Sequence, residues 1–108
     1  MAANAQISSD HDAPDPHHRW ALIIDDHPLF CDALELTLRA TGEFTDVRTA
    51  TNIEAGLRVL DRAPPPALIL LDLNLPDVKG FEGLVRIKRQ SDRSPVLVVS
   101  SMTENNVI

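Results

Sequence analysis

Apolar residues along this chain gather in short runs and in stripes that repeat with the periods of strands and helices. Four runs predict strands, at 20–25, 44–49, 67–72 and 95–100. The third and fourth runs do not alternate with polar residues, which is typical of strands that are covered on both faces in a parallel sheet. The pattern therefore favours a sheet that lies between layers of helices.

A helix is predicted after the first strand, at about 28–40. Pro28 suits its first turn, because a proline lacks only an N–H group that would have no helical partner there. Gly42 follows as a stop signal. The helix carries one wide apolar stripe, which consists of Leu29, Phe30, Ala33, Leu34, Leu36 and Leu38.

Two more helices are predicted between the later strands. Asn52 is expected to cap the second helix, and the prolines at 64–66 must end it. The third runs from about 80 to 90, with Phe81, Leu84, Val85 and the stem of Lys88 on one side. Strands and helices that alternate with short connections predict a doubly wound α/β fold with right-handed crossovers.

Composition narrows the class of protein. The 108 residues suffice for one small domain, and the net charge of -6 argues against a nucleic-acid surface in this segment. Residues 1–18 are small, polar, acidic and rich in histidine, so we expect a disordered tail before a domain at 19–108. The chain has neither a signal peptide nor an apolar run long enough to span a membrane, which predicts a cytoplasmic location without membrane contact.

Acidic and hydroxyl side chains follow three of the four predicted strands. Asp25 and Asp26 end the first run, Asp72 ends the third and Ser100 ends the fourth. Ligands of parallel sheets bind beyond the carboxyl ends of the strands, so these groups should converge. Converging carboxylates repel one another unless a cation joins them, and Mg²⁺ suits a site of oxygen ligands. A carboxylate can also act as a nucleophile toward phosphorus.

Three segments of the chain resemble response regulator receiver domains: LIIDDHPLF at 22–30, LLDLNLPDVKG at 70–80 and VLVVS at 96–100. The His-Pro after the acid pair and the Asp-Leu-Asn-Leu-Pro segment are most similar to the NarL/FixJ (LuxR-type) subfamily. The resemblance runs from about residue 21 to the chain end. It implies a flavodoxin-like fold and a phosphorelay protein that accepts a phosphoryl group and is not itself an enzyme.

The resemblance also implies roles for individual residues. Asp72 matches the phosphoacceptor, and Ser100 matches the hydroxyl that turns toward the phosphoryl group. Asp26 matches the acid that binds Mg²⁺ directly, and Asp25 the acid that acts mainly through water. Asn74 matches the residue whose backbone carbonyl binds the metal.

The family has a fifth strand, a lysine after it and a last helix, and none of the three has a counterpart here before Ile108. We therefore expect an incomplete domain with the strand order 2-1-3-4, which ends near the start of a fourth helix. Its fourth strand would be an exposed apolar edge, so we expect the chain alone to be unstable, to swap or form a homodimer through that edge, or to be a fragment of a longer protein. Because the charge of the lysine is missing, its phosphorylation should be weak. The implied partner is a sensor histidine kinase. DNA would be bound only through a C-terminal helix-turn-helix domain that this chain lacks, and the parent protein would control transcription.

Two other classes of function compete with this interpretation. Aspartate-nucleophile phosphatases of the haloacid dehalogenase type carry a second acid two residues after the first, whereas this chain has Asn74 there. A receiver-like interaction module that is not phosphorylated remains the alternative. A mass gain after treatment with acetyl phosphate and Mg²⁺ would separate this module from a receiver.

Overall fold

The computed structural model describes residues 18–99, in which four strands alternate with three helices. The elements are β1 (Trp20–Ile24), α1 (Pro28–Ala40), β2 (Asp46–Ala50), α2 (Ile53–Arg62), β3 (Leu68–Asp72), α3 (Glu82–Gln90) and β4 (Val96–Val99). All neighbouring strands are parallel, and their order is β2-β1-β3-β4. The α/β class and the predicted strand order are thus confirmed. Ser100 and the predicted tail up to residue 17 lie outside the described residues.

Strand β1 lies at the centre of the sheet, between β2 and β3, and all five of its residues are buried. Alternate residues of β1 face opposite sides, as in any strand. Ile23 packs on the α1 side, whereas Leu22 and Ile24 pack on the side of α2 and α3. The sheet therefore has a helix layer on each face, and these layers leave the ends of the strands uncovered.

The predicted apolar stripe of α1 is only partly the buried one. Leu29 is 84% exposed and Leu36 is 69% exposed, and the helix packs instead through Cys31, Leu34 and Leu38. These three residues lie at i, i+3 and i+7 and meet the face of the sheet that holds Ile23. The helix has more apolar residues than one sheet face can cover, so periodicity alone did not choose between two overlapping stripes.

The predicted apolar side of α3 is only partly the buried one. Leu84 packs against the core as expected, whereas Phe81 and Val85 are exposed. Gly83 and Ile87 are buried instead. A Cβ atom at Gly83 would lie 2.8 Å from Ile53 Cδ1, so α3 packs closely against α2 at the glycine.

Two strand predictions need smaller corrections. Strand β2 begins at Asp46 rather than Phe44. Just before it, the N–H and hydroxyl groups of Thr45 both donate to the Arg19 carbonyl. Strand β4 is not buried on both faces, since Leu97 is 54% exposed and β4 forms an edge of the described sheet. No helix within residues 18–99 has the length and apolar character that a membrane crossing requires.

Candidate functional site

Three carboxylates meet at the carboxyl edge of the sheet. Asp25 follows β1 directly, and Asp72 is the last residue of β3, beside β1. Both side chains are buried, and Asp26 stands next to them, partly exposed. One oxygen from each carboxylate and a nitrogen of His27 all lie within 4.8 Å of one another. We call these four residues the carboxylate cluster.

Backbone hydrogen bonds hold both buried carboxylates in place. The His27 N–H donates to Asp25 Oδ1 at 2.8 Å, and the Asn74 N–H donates to Asp72 Oδ1 at 3.0 Å. In each case an aspartate binds the N–H two residues later, which is the usual way for this side chain to fix a turn. The Asp25 N–H also donates to the Ala50 carbonyl at 3.0 Å, so the backbone of Asp25 is tied to β2. The two carboxylates are therefore oriented by the turns that follow their strands.

The cluster carries uncompensated negative charge. Burial raises the pKa of Asp25, and repulsion from Asp72 adds to this effect, although hydrogen bonds from His27 oppose it. Asp25 Oδ2 is buried and has no hydrogen-bond partner among the described residues. A buried acceptor without a partner is costly, so this atom marks a place where the site is incomplete without another group.

His27, which is not among the predicted site residues, also lies inside the cluster. Its Nδ1 atom is 3.1 Å from Asp25 Oδ1, 3.1 Å from Asp26 Oδ1 and 3.6 Å from Asp72 Oδ2. The hydrogen bond to Asp25 raises the pKa of His27, and the nearby carboxylate charges raise it further. The sequence offers one indication of this contact, because His27 follows Asp25 and Asp26 directly.

The loop after β3 is anchored by a residue that sequence reasoning missed. The two carboxylate oxygens of Asp77 accept hydrogen bonds from the N–H groups of Ile53 and Glu54, each at 3.1 Å. Asn52 caps the same helix through its side chain, which accepts from Ala55 N–H, as predicted. Burial would raise the pKa of Asp77, but the N–H donors outweigh it and hold that pKa below its usual value.

Two predicted site residues are less fully defined. Asn74 lies in this loop with an exposed side chain, and its N–H group binds Asp72. Its predicted metal contact through the backbone carbonyl stays a prediction. Ser100 lies outside the described residues.

The donor set fits a hard divalent cation. Three carboxylates offer oxygen atoms that are close enough to share one ion. The cluster contains a single imidazole and no thiolate, which differs from the usual donors of a structural zinc site. A cation here would neutralise the repulsion between the buried aspartates.

The family profile described as "Response regulator receiver domain" matches residues 21–108. The chain is 34% identical over 88 residues to the nitrate/nitrite response regulator protein NarL of Escherichia coli, covering 81% of this chain and 40% of that protein. It is 31% identical over 87 residues to the glycerol metabolism activator of Pseudomonas putida, covering 81% and 39%.

A solved structure supports the same fold. The response regulator protein TrrA from Thermotoga maritima, described as a complex with Mg²⁺ and BeF, superposes with a TM-score of 0.69 at 21% identity. The match covers 82% of this chain and 75% of that one. The chain thus spans most of this structure but only about two-fifths of the two curated relatives.

Proposed function

The chain belongs to the family of response regulator receiver domains, and we propose that it accepts a phosphoryl group from a sensor histidine kinase on Asp72. The observation that carries this proposal is the position of Asp72, buried at the carboxyl edge of the sheet beside Asp25 and Asp26. A solvated surface aspartate has neither this burial nor two acidic neighbours. The family relationship and the site geometry thus point to the same residue.

In the proposed reaction, a carboxylate oxygen of Asp72 attacks the phosphorus of a kinase phosphohistidine. An O–P bond forms as the P–N bond breaks, and the electron pair of that bond stays with the imidazole, which takes up a proton. The Asn74 N–H group holds Asp72 Oδ1, and so keeps the carboxylate oriented for attack. The receiver thereby assists its own phosphorylation without being a true enzyme.

We propose Mg²⁺ as the cation, held by Asp26 directly, by Asp25 through water, by Asp72 and by the backbone carbonyl of Asn74. When bound, it would neutralise charge on the phosphoryl oxygens. The Thermotoga maritima relative is described with Mg²⁺ and BeF, which supports this choice of ion. Ser100 is proposed to bind a phosphoryl oxygen through its hydroxyl.

The output is proposed from the relatives. The His-Pro and Asp-Leu-Asn-Leu-Pro segments and the similarity to NarL support membership of the NarL/FixJ subfamily. In a longer parent protein, phosphorylation at residues 19–108 would then control transcription through a separate DNA-binding domain, by way of a homodimer. We also propose a cytoplasmic location.

The proposal is tested by treating the chain with acetyl phosphate and Mg²⁺ and measuring its intact mass. We expect the mass of one phosphoryl group to be gained by the wild type and by the Asp92→Asn control, which changes an exposed aspartate near β4. Asp72→Asn should show no gain. A folded wild-type chain that gains no mass would contradict the proposal and favour the unphosphorylated interaction module.

A further inference from the structure

The His27 ring occupies the place among the carboxylates that a cation is expected to take. We propose that this ring competes with the divalent ion, so that it lowers the affinity of the site for metal and must leave the cluster when an ion binds. The inference rests on the proposed function, because it concerns the same metal site. It adds a role for His27 to those proposed above for Asp72 and the metal ligands.

The first step of the argument is the position of one atom. His27 Nδ1 lies 3.1 Å from oxygens of Asp25 and Asp26, and 3.6 Å from an oxygen of Asp72. An ionised carboxylate only accepts hydrogen bonds, so a nitrogen that faces three of them acts as a donor. A donor and a metal ion cannot use the same oxygens from the same point in space. Binding of the ion therefore requires the ring to move.

The second step is that the ring has room to move. The His27 side chain is 52% exposed, on the solvent side of the cluster. His27 holds the N-cap position of α1, but its side chain makes no capping hydrogen bond. Its backbone N–H group binds Asp25 Oδ1 independently of the ring, at 2.8 Å. Rotation of the side chain would therefore leave both the turn and the helix start intact.

The third step is that the ring satisfies the cluster only in part. It reaches Oδ1 of Asp25, whereas the buried Oδ2 of the same carboxylate has no hydrogen-bond partner among residues 18–99. A cation interacts with carboxylate oxygens from a single position and carries two positive charges. The ion should therefore displace the ring, but the affinity is reduced by the free energy of the hydrogen bond that is broken.

A ligand role for His27 is the competing interpretation of the same contacts. In that case Nδ1 would bind the ion, and it would favour Mn²⁺ over Mg²⁺, because imidazole suits transition metals better than Mg²⁺. The two interpretations predict opposite effects when the ring is removed. Removal of a competitor strengthens binding of both ions, whereas removal of a ligand weakens binding of Mn²⁺.

The experiment measures Mg²⁺ and Mn²⁺ binding to the full chain by isothermal titration calorimetry, at one pH. We expect His27→Ala and His27→Asn to bind both ions roughly tenfold more tightly than the wild type, the scale of one lost charge-assisted hydrogen bond. His18→Ala is the matched control, since it removes another exposed histidine that lies beside Thr45 rather than in the cluster. Unchanged affinity, or weaker Mn²⁺ binding, in the His27 variants would overturn the proposal.

A second measurement follows the ring itself. The side-chain NMR signals of His27 should shift during a Mg²⁺ titration with the midpoint found by calorimetry, whereas those of His18 should stay constant. If both His27 variants are folded and bind neither ion, competition is excluded. If the wild type gains a phosphoryl group on Asp72 but the His27 variants bind metal no more tightly, the inference fails while the proposed function stands.

Discussion

Two groups of buried polar side chains lie at opposite edges of the same sheet. The carboxylate cluster lies where β1 and β3 end. The other group, which we call the serine cluster, consists of Ser91, Ser94 and the carbonyl of Pro66, and lies where β3 and β4 begin. Both clusters contain side chains that are almost fully buried, yet their hydrogen bonding differs completely.

Both side chains of the serine cluster are neutral, and both hydroxyls are paired. The hydroxyls of Ser91 and Ser94 lie 2.7 Å apart, and Ser94 Oγ donates to the Pro66 carbonyl at 2.8 Å. Lys88 Nζ donates to the Ser94 carbonyl at 2.9 Å, so the ammonium group also serves the turn that leads into β4. These bonds join the loop after α3 to the start of β3.

The carboxylate cluster is like-charged and only partly paired. It contains buried aspartates that repel each other, and two buried oxygens, Asp25 Oδ2 and Asp26 Oδ1, have no hydrogen-bond partner among the described residues. Polar groups that are buried and satisfied stabilise a fold, whereas a buried group that is left unsatisfied calls for a functional explanation. The difference between the clusters therefore lies in the balance of charge and hydrogen bonds, not in burial.

The largest effect on stability is expected at the serine cluster. Ser94→Ala removes the donor to the Pro66 carbonyl and the partner of the Ser91 hydroxyl, so the free energy of unfolding should fall by about 2 kcal/mol. Thermal and urea unfolding would measure the change. Thr37→Ala is the control, since its exposed hydroxyl bonds only within α1 and its loss should cost little.

The same variant should leave ion binding unchanged. Ser94 belongs to the opposite edge of the sheet, so folded Ser94→Ala should bind Mg²⁺ as the wild type does. If Mg²⁺ affinity fell in the folded variant, the two clusters would be coupled and the distinction between them would not hold.

At the carboxylate cluster, we expect a substitution to raise the free energy of unfolding instead of lowering it. Asp25→Asn keeps an oxygen for the His27 N–H group and places an amide donor where Oδ2 has no partner. Without metal, the variant should be more stable than the wild type by about 1 kcal/mol, the scale of one pKa unit, because a neutral amide avoids burying a charge beside Asp72. A loss of stability in metal-free buffer would show that the Asp25 carboxylate is structurally satisfied.

The pH dependence gives a second test of Asp25. Burial raises its pKa in the folded chain above the ordinary value of 3.8, so the unfolded chain ionises first as the pH rises. The wild type is therefore penalised progressively above pH 3.8, until the folded carboxyl has also ionised. The advantage of Asp25→Asn should appear over this range and disappear below it, as measured by melting temperature against pH.

The sequence predicted the features that depend on local order. Strand ends placed Asp25, Asp26 and Asp72 at one edge, because parallel strands bring their carboxyl ends together. The bounds of α1 agree with the prediction, and the Asn52 cap is confirmed, because caps and prolines act within a few residues. The roles of the site residues remain predictions.

The features that could not be predicted from the sequence depend on tertiary packing. The buried stripe of α1 was misjudged because Leu29 and Leu36 are as apolar as the residues that pack. The pairing of Ser94 with Pro66 joins residues 28 positions apart, and no periodic pattern reports such a contact. The position of the His27 ring likewise depends on three carboxylates that only the folded sheet brings together.

Asp77 provides the finest test, because it is a carboxylate near the functional edge whose hydrogen bonds resemble those of the serine cluster. Both of its oxygens accept hydrogen bonds from N–H groups at the start of α2, and these bonds hold its pKa below the usual 3.8 although desolvation of the carboxylate opposes them. Asp77→Asn should cost about 0.5 kcal/mol at neutral pH, because one acceptor oxygen becomes a donor while the other can still cap.

The sign of the pH dependence separates Asp77 from Asp25. The stabilisation from Asp77 is present above the unfolded pKa of 3.8 and is lost as the pH falls through the lower folded value. At neutral pH the two Asp→Asn variants should therefore differ from the wild type in opposite directions, and both differences should shrink in acid. If Asp77→Asn were instead found to stabilise the metal-free chain, as is expected of Asp25→Asn, the sign of the stability change would depend on proximity to the functional edge rather than on hydrogen-bond pairing. Melting curves of both variants at several pH values decide between these two causes.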